Sequence, residues 1–231
     1  CRELVNDGNC EVIGVDSLRS GDWSRCPQQV RRIDCDIAEM TVDDWRQTVA
    51  DANVVFHLAA EKYNSSKSTP DRVIAANISA TEHLFRASAL EGVGRVVFTS
   101  SLYAYGALGP QRMKETDVPA PTTLYGASKL MGEHILRSID REIGLSWNVA
   151  RLFFIYGPHQ YADGGSKSVI ITNFERMLMG EPPVINGDGT QSLDYVYVDD
   201  CVSALLALAR AETDRRVVNV ATGNATTGSN A

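Results

Sequence analysis

A tyrosine and a lysine four residues apart, Tyr125 and Lys129, stand in Tyr125-Gly-Ala-Ser-Lys129 at the start of a stretch with helical spacing. At i and i+4 their side chains share one face of a helix. An ammonium one turn from a phenol favours the phenolate, so the pair can exchange a proton with a sugar or alcohol hydroxyl near neutral pH. The spacing by itself also occurs in many helices that do no chemistry. Upstream, Thr99-Ser100-Ser101 closes an apolar run, and polar side chains at the carboxyl edge of a parallel sheet are placed to meet a ligand. A strand-end turn is the plain alternative. A third group is Asp16, which ends the run Glu11-Val-Ile-Gly-Val-Asp16. An acid there can accept hydrogen bonds from ribose hydroxyls and repel a 2′-phosphate, or it can cap a turn.

These groups need elements to hold them. Five short runs carry consecutive apolar residues, as strands buried on both faces do: 11–16, 53–58, 95–100, 147–153 and 217–221. Between them, Val42 to Ala50, Arg72 to Leu90, Ser128 to Ile143 and Asp200 to Ala211 repeat apolar residues every three or four positions, as crossover helices do. The alternation predicts an α/β fold, a doubly wound parallel sheet covered by helices. From Ile155 to Gly189, Gly157-Pro158, Gly164-Gly165 and Glu181-Pro182-Pro183 break the pattern, and a less regular inserted region is expected there.

With 22 Lys plus Arg against 29 Asp plus Glu, the 231-residue chain has a net charge of −7. Such a surface has no general attraction for nucleic acid or anionic membranes. No apolar run approaches the ~20 residues of a membrane-spanning helix, so a cytoplasmic protein is expected. The cysteines Cys1, Cys10, Cys26, Cys35 and Cys201 and the histidines His57, His83, His134 and His159 are scattered, which argues against a disulfide framework and a metal site.

Taken together, the segments resemble the extended short-chain dehydrogenase/reductases, in their nucleotide-sugar epimerase and dehydratase branch. Besides Thr-Ser-Ser and Tyr-x-x-x-Lys, the resemblance rests on Asp36-Ile37, His57-Leu-Ala-Ala60, Asn77, Tyr105-Gly106, Tyr156-Gly-Pro158, Gly187-Asp-Gly189 and Asp194-Tyr-Val-Tyr-Val-Asp199. It runs along essentially the whole chain.

The resemblance implies NAD as cofactor and a nucleotide sugar as substrate. It implies that Asp16 holds the adenosine ribose, that Asp36 and Ile37 flank the adenine, and that Leu58, Ala59, Ala60 and Lys62 lie under the pyrophosphate and nicotinamide ribose, with Asn77 beside them. Ser100 and Phe153 join this cofactor set. Ser101 would hydrogen-bond the reacting oxygen, Tyr125 would transfer its proton, and Lys129 would lower the pKa of Tyr125 and hold the ribose. The alternatives are small packing residues at Ala59 and Ala60 and a helix-to-loop hydrogen bond at Asn77.

After Ser101 come Leu102 and Tyr103, where the family's dehydratases carry Asp-Glu, its decarboxylases Glu and its fucose-synthase-type reductases Cys. This leaves an epimerase, with C4 of a UDP-hexose as the expected position and a reductase or dehydratase of the same family as the alternative. Phe154 stands where relatives carry Asn, and Leu193 where many carry a diphosphate-pairing Arg, so Lys167 or Arg176 would take that role or the substrate differs. Asp199 and Asp200 are expected to cap a helix.

The expected organisation is a dinucleotide-binding unit over 1–153, a substrate region starting over 154–190, a return to the sheet over 191–221 and a further substrate segment from 222–231. The chain is expected to lack the family's first strand and glycine-rich turn, and its parent to be a homodimer. A non-catalytic NAD-binding sensor or an inactive fragment is the reading from another class.

Overall fold

The computed structural model describes residues 1–106, 112–160, 168–185 and 187–227. Helix α1 (Arg2–Asp7) leads into β1 (Ile13–Asp16) and β2 (Arg31–Asp34), which pair in parallel with Asp16 opposite Asp34. Helix α2 (Val42–Val49) opens on a reciprocal cap: Thr41 Oγ1 accepts the Asp44 N–H at 3.2 Å, and Asp44 Oδ2 accepts the Thr41 N–H at 2.8 Å. Strand β3 (Val54–His57) is followed by α3 (Ser65–Ser68), α4 (Pro70–Ile74), a π turn (Ala75–Ser79) and α5 (Ala80–Leu90). Then come β4 (Arg95–Ser101), α6 (Leu124–Glu142), β5 (Trp147–Leu152), β6 (Phe154–Tyr156) and α7 (Val169–Leu178). Strands β7 (Ser192–Leu193) and β8 (Tyr195–Tyr197), helix α8 (Val198–Arg210), β9 (Arg216–Val220) and β10 (Thr226–Thr227) complete the order.

The central sheet runs β3-β4-β5-β9, all parallel, with Ser100 opposite Arg151 and Ser101 opposite Leu152. Strand alternation divides the core in two. Val96, Phe98, Trp147 and Val149 point to one face, against Trp45 and Val49 of α2, Leu84 and Phe85 of α5, and Leu136 and Ile139 of α6. Val97, Ala150 and Val220 point to the other, against Cys201 and Leu205 of α8. Helices on both faces explain why these strands read as continuous apolar runs. The β1–β2 ladder shares the first core through Val15 but is not hydrogen-bonded to the central sheet. Two small ladders, β6 with β8 in parallel and β7 with β10 antiparallel, lie apart from it.

Four departures from the sequence reading have physical causes. Strand β2 was not expected, because Arg31 and Arg32 are exposed and leave no apolar run to read. The single helix expected over 72–90 is interrupted by the π turn, whose extra residue resets the helical phase while the segment on each side keeps its own apolar spacing. The supposedly irregular region 155–189 holds α7, capped by Ser168, whose hydroxyl accepts the Ile171 N–H at 3.3 Å. Asp199 and Asp200 do not cap α8; they sit inside its first turn, where acids favour the helix dipole.

Candidate active site

Helix α6 begins at Leu124, with the Thr123 hydroxyl accepting the Gly126 N–H at 3.1 Å, so Tyr125 is already helical. Tyr125, Lys129 and Glu133 then fall at i, i+4 and i+8 on the face toward β4. Two glycines let the helix lie that close. A Cβ on Gly126 would collide with the Tyr103 carbonyl oxygen, and one on Gly132 would stand 2.5 Å from Phe98 Cζ.

Ser101 closes β4 and is buried; its Oγ accepts the Tyr103 N–H at 3.3 Å and so caps the turn Leu102–Ala104. Its hydroxyl lies near enough to Tyr125 to act on the phenol. The Tyr125 phenol is raised above its usual range: burial raises it most, the Ser101 hydroxyl lowers it and the nearby Tyr103 raises it. Desolvation is the largest of these effects, and Lys129 is not among the groups that shift the phenol. Burial brings the pKa of Lys129 down to about 7. Lys129 Nζ lies 4.9 Å from the Phe98 ring centroid and has no hydrogen-bond partner among the described residues. A buried ammonium without a partner is costly, so this position could take ligand oxygens such as ribose hydroxyls.

The remaining expected cofactor residues divide by what their side chains touch. Asp16 is exposed, and its Oδ1 accepts the Leu18 N–H at 2.7 Å, which leaves Oδ2 available to ribose hydroxyls. Asp36 caps a short turn through the Ala38 N–H at 3.0 Å and pairs with Arg72 Nη2 at 2.7 Å. Burial alone would raise it, but the Ala38 N–H and the Arg72 guanidinium hold it below the usual carboxylate range. Ile37 is buried in the first core. Leu58 is 56% exposed and Ala59 and Lys62 are exposed, with Ala60 half-buried, so this segment presents an open surface at the end of β3.

Asn77 holds that segment in place. Its Oδ1 accepts the Glu61 N–H at 2.7 Å, and its Nδ2 donates to the Glu61 carbonyl and to Ser128 Oγ, both at 3.1 Å. Ser128 Oγ in turn donates to the Tyr125 carbonyl at 2.8 Å. The cofactor-side segment and the proton-transfer helix are thus tied through one buried amide, presented by the π turn. Ser100 is turned into the protein and donates to Glu133 Oε1 at 2.6 Å, and Phe153 packs against the second core.

Other residues entered the site unannounced. Glu133 and Arg151 form a buried bidentate pair. Tyr103 meets Tyr125 edge to face at 5.9 Å, stacks on Tyr63 at 5.1 Å and abuts Phe154 at 6.4 Å, making an aromatic wall beside the phenol. Arg176 is occupied by the Pro182 carbonyl and Glu181, and Lys167 lies outside the described residues. His57 is a core residue: its Nε2 pairs with Thr81 Oγ1 at 2.8 Å, and burial lowers its pKa to about 3.

A doubly wound sheet whose strand end brings a serine to a helix-borne tyrosine, with a buried lysine one turn on, defines a dinucleotide-dependent enzyme acting on a hydroxyl group. The chain belongs to the NAD dependent epimerase/dehydratase family, whose model matches residues 1–221, and NAD is its cofactor. A UDP-glucose 4-epimerase of Mycolicibacterium smegmatis is 30% identical over 95% of this chain and 72% of its own. Among solved structures, the UDP-glucose 4-epimerase of Thermotoga maritima with UDP-glucose superimposes with a TM-score of 0.90 at 34% identity, covering 99% of this chain and 74% of that one. The Thermus thermophilus UDP-glucose 4-epimerase complex with NAD gives 0.85 at 30% identity, covering 98% and 74%. No helix among the described residues is long and apolar enough to cross a membrane.

Proposed function

We propose that the protein is a nucleotide-sugar epimerase acting at C4 of a UDP-hexose, as a cytoplasmic homodimer. The observation that carries this is the buried Ser101 at the end of β4 beside Tyr125 and the buried Lys129, one turn apart on α6. Relatives also include a decarboxylase and 4,6-dehydratases. Expelling water from the sugar needs an added acid and base, and after Ser101 this chain offers only the buried Leu102 and the phenol Tyr103.

In this reading Ser101 Oγ holds the sugar hydroxyl and Tyr125 Oη removes its proton. Bound NAD would supply the hydride acceptor for the sugar carbon and the donor for its return. Lys129 would donate to ribose hydroxyls, and its ammonium, one turn from Tyr125, favours the phenolate there. Tyr125 gives the proton back once the keto-sugar has turned its other face. Asp16 and the 58–62 segment bind the dinucleotide, the former by accepting ribose hydroxyls.

The test is to incubate the protein at its natural length with UDP-glucose or UDP-galactose and identify the products. Interconversion without net cofactor consumption is expected. Stoichiometric NADH oxidation, or a dehydrated or decarboxylated product, would replace this reading with another branch of the family.

A further inference from the structure

Glu133 is a fully buried acid to which the reaction assigns no proton. It lies one turn beyond Lys129 and two beyond Tyr125 on the same face of α6. Its Oε1 accepts Ser100 Oγ at 2.6 Å and Arg151 Nε at 2.9 Å; its Oε2 accepts Arg151 Nη2 at 2.8 Å. Ser100 and Arg151 are themselves opposite one another across β4 and β5, one residue before the Ser101–Leu152 pair. One carboxylate thus grips two adjacent strands at the place where β4 delivers Ser101 to the site.

The network continues outward. The Arg151 guanidinium lies 4.6 Å from the Tyr105 ring centroid, and its Nη1 has no hydrogen-bond partner among the described residues. Tyr105 Oη donates to Asn219 Oδ1 at 2.7 Å, and Asn219 Nδ2 donates to the Met113 carbonyl at 3.0 Å. A buried ion pair of this kind is a poor source of stability, since desolvation of both ions offsets their attraction. What it fixes is geometry: its planar, bidentate contact allows one seat for the helix on the sheet.

We propose that Glu133 is a positioning residue which, by gripping Ser100 and Arg151, sets the seat of α6 on β4 and β5 and so aligns Ser101 with Tyr125. The inference rests on the epimerase reading of Ser101 and Tyr125. Removing Glu133 itself would strand a buried guanidinium and endanger folding, so the informative change is Ser100→Ala, which deletes one hydrogen bond and leaves the ion pair.

In the protein at its natural length, Ser100→Ala is expected to lower kcat about tenfold or more while KM for the UDP-hexose changes little, because misalignment acts on the reacting geometry. The pH at which kcat is half-maximal should rise, since a displaced Ser101 hydroxyl no longer lowers the Tyr125 phenol. In carbon-13 NMR of ring-labelled tyrosine, assigned with Tyr125→Phe, the Tyr125 signal should shift in Ser100→Ala. A lower melting temperature with kcat, pH midpoint and Tyr125 signal all unchanged would reduce the pair to a structural contact and overturn the proposal. If the unmodified protein converts no UDP-hexose, the functional reading fails on its own, and the Tyr125 signal alone decides the positioning role: a shift supports it and no shift refutes it.

Discussion

Gly132→Ala tests whether the contact between α6 and β4 governs both stability and chemistry. The new Cβ would stand 2.5 Å from Phe98 Cζ and 2.7 Å from Cε1, whereas carbon atoms settle at about 3.5–4.0 Å. Roughly 1 Å of space must be made. Phe98 cannot supply it cheaply: it is 1% exposed, stacked on His57 at 5.5 Å and edge-on to Phe85 at 5.5 Å. The helix must therefore lift, carrying Tyr125 and Lys129 away from Ser101. Overpacking of this kind costs about 1–3 kcal/mol, and a chain of this size loses about 2–4 °C of Tm per kcal/mol. A displacement of about 1 Å at a reacting group can cost about a hundredfold in rate. Urea unfolding and initial rates on the UDP-hexose, measured for Gly132→Ala, Phe98→Leu and the double variant, would show it. The double variant should be more stable than the sum of the single effects predicts, because Leu gives back the space that Ala needs. Strict additivity, or Gly132→Ala with unchanged stability and rate, would refute the close-packing argument.

Two further outcomes follow from the site. Tyr125→Phe should lower kcat by about 10²–10⁴-fold with NAD still bound, as read by turnover and by the cofactor retained after gel filtration; a variant that keeps its rate would remove Tyr125 from proton transfer. Lys129 has a folded pKa of about 7, below its unfolded value, so between about pH 7 and about 10.4 the unfolded chain binds more protons and stability rises with pH. Lys129→Met should therefore stabilise the cofactor-free protein most at pH 7 and below, with an advantage that shrinks as pH climbs toward 10, and it should weaken NAD binding. Urea midpoints across that range measure the effect, and an advantage independent of pH would show that Lys129 is not held in a desolvating site.

The sequence was legible where one local rule governs a segment. Strands β4 and β5 are sandwiched between helices, and their unbroken apolar runs say so. Tyr125, Lys129 and Ser101 announce themselves by helical spacing and by a polar strand end. Glu133 does not: on a helix it looks like any surface glutamate, and what buries it is Arg151, eighteen positions away on another element. Ser100 looked like a ligand contact for the same reason that Ser101 did, since a strand end does not show which hydroxyl turns inward. Tyr103 was visible only as the absence of an acid; its place in an aromatic wall depends on Tyr63 and Phe154, which the chain brings in from the turn after β3 and from β6.

The π turn at Ala75–Ser79 gives the helical segment one residue more than an α-helical turn holds, and one residue corresponds to about 100° of rotation. The phases of α4 and α5 are thereby uncoupled. Arg72 on α4 can aim at Asp36 and Glu61 while Leu84 and Phe85 on α5 aim into the core, and Asn77 projects from the offset between them. Deleting a single residue there would restore a regular helix and force one register on both segments, so that either the electrostatic clamp or the hydrophobic face would have to turn away from its partner.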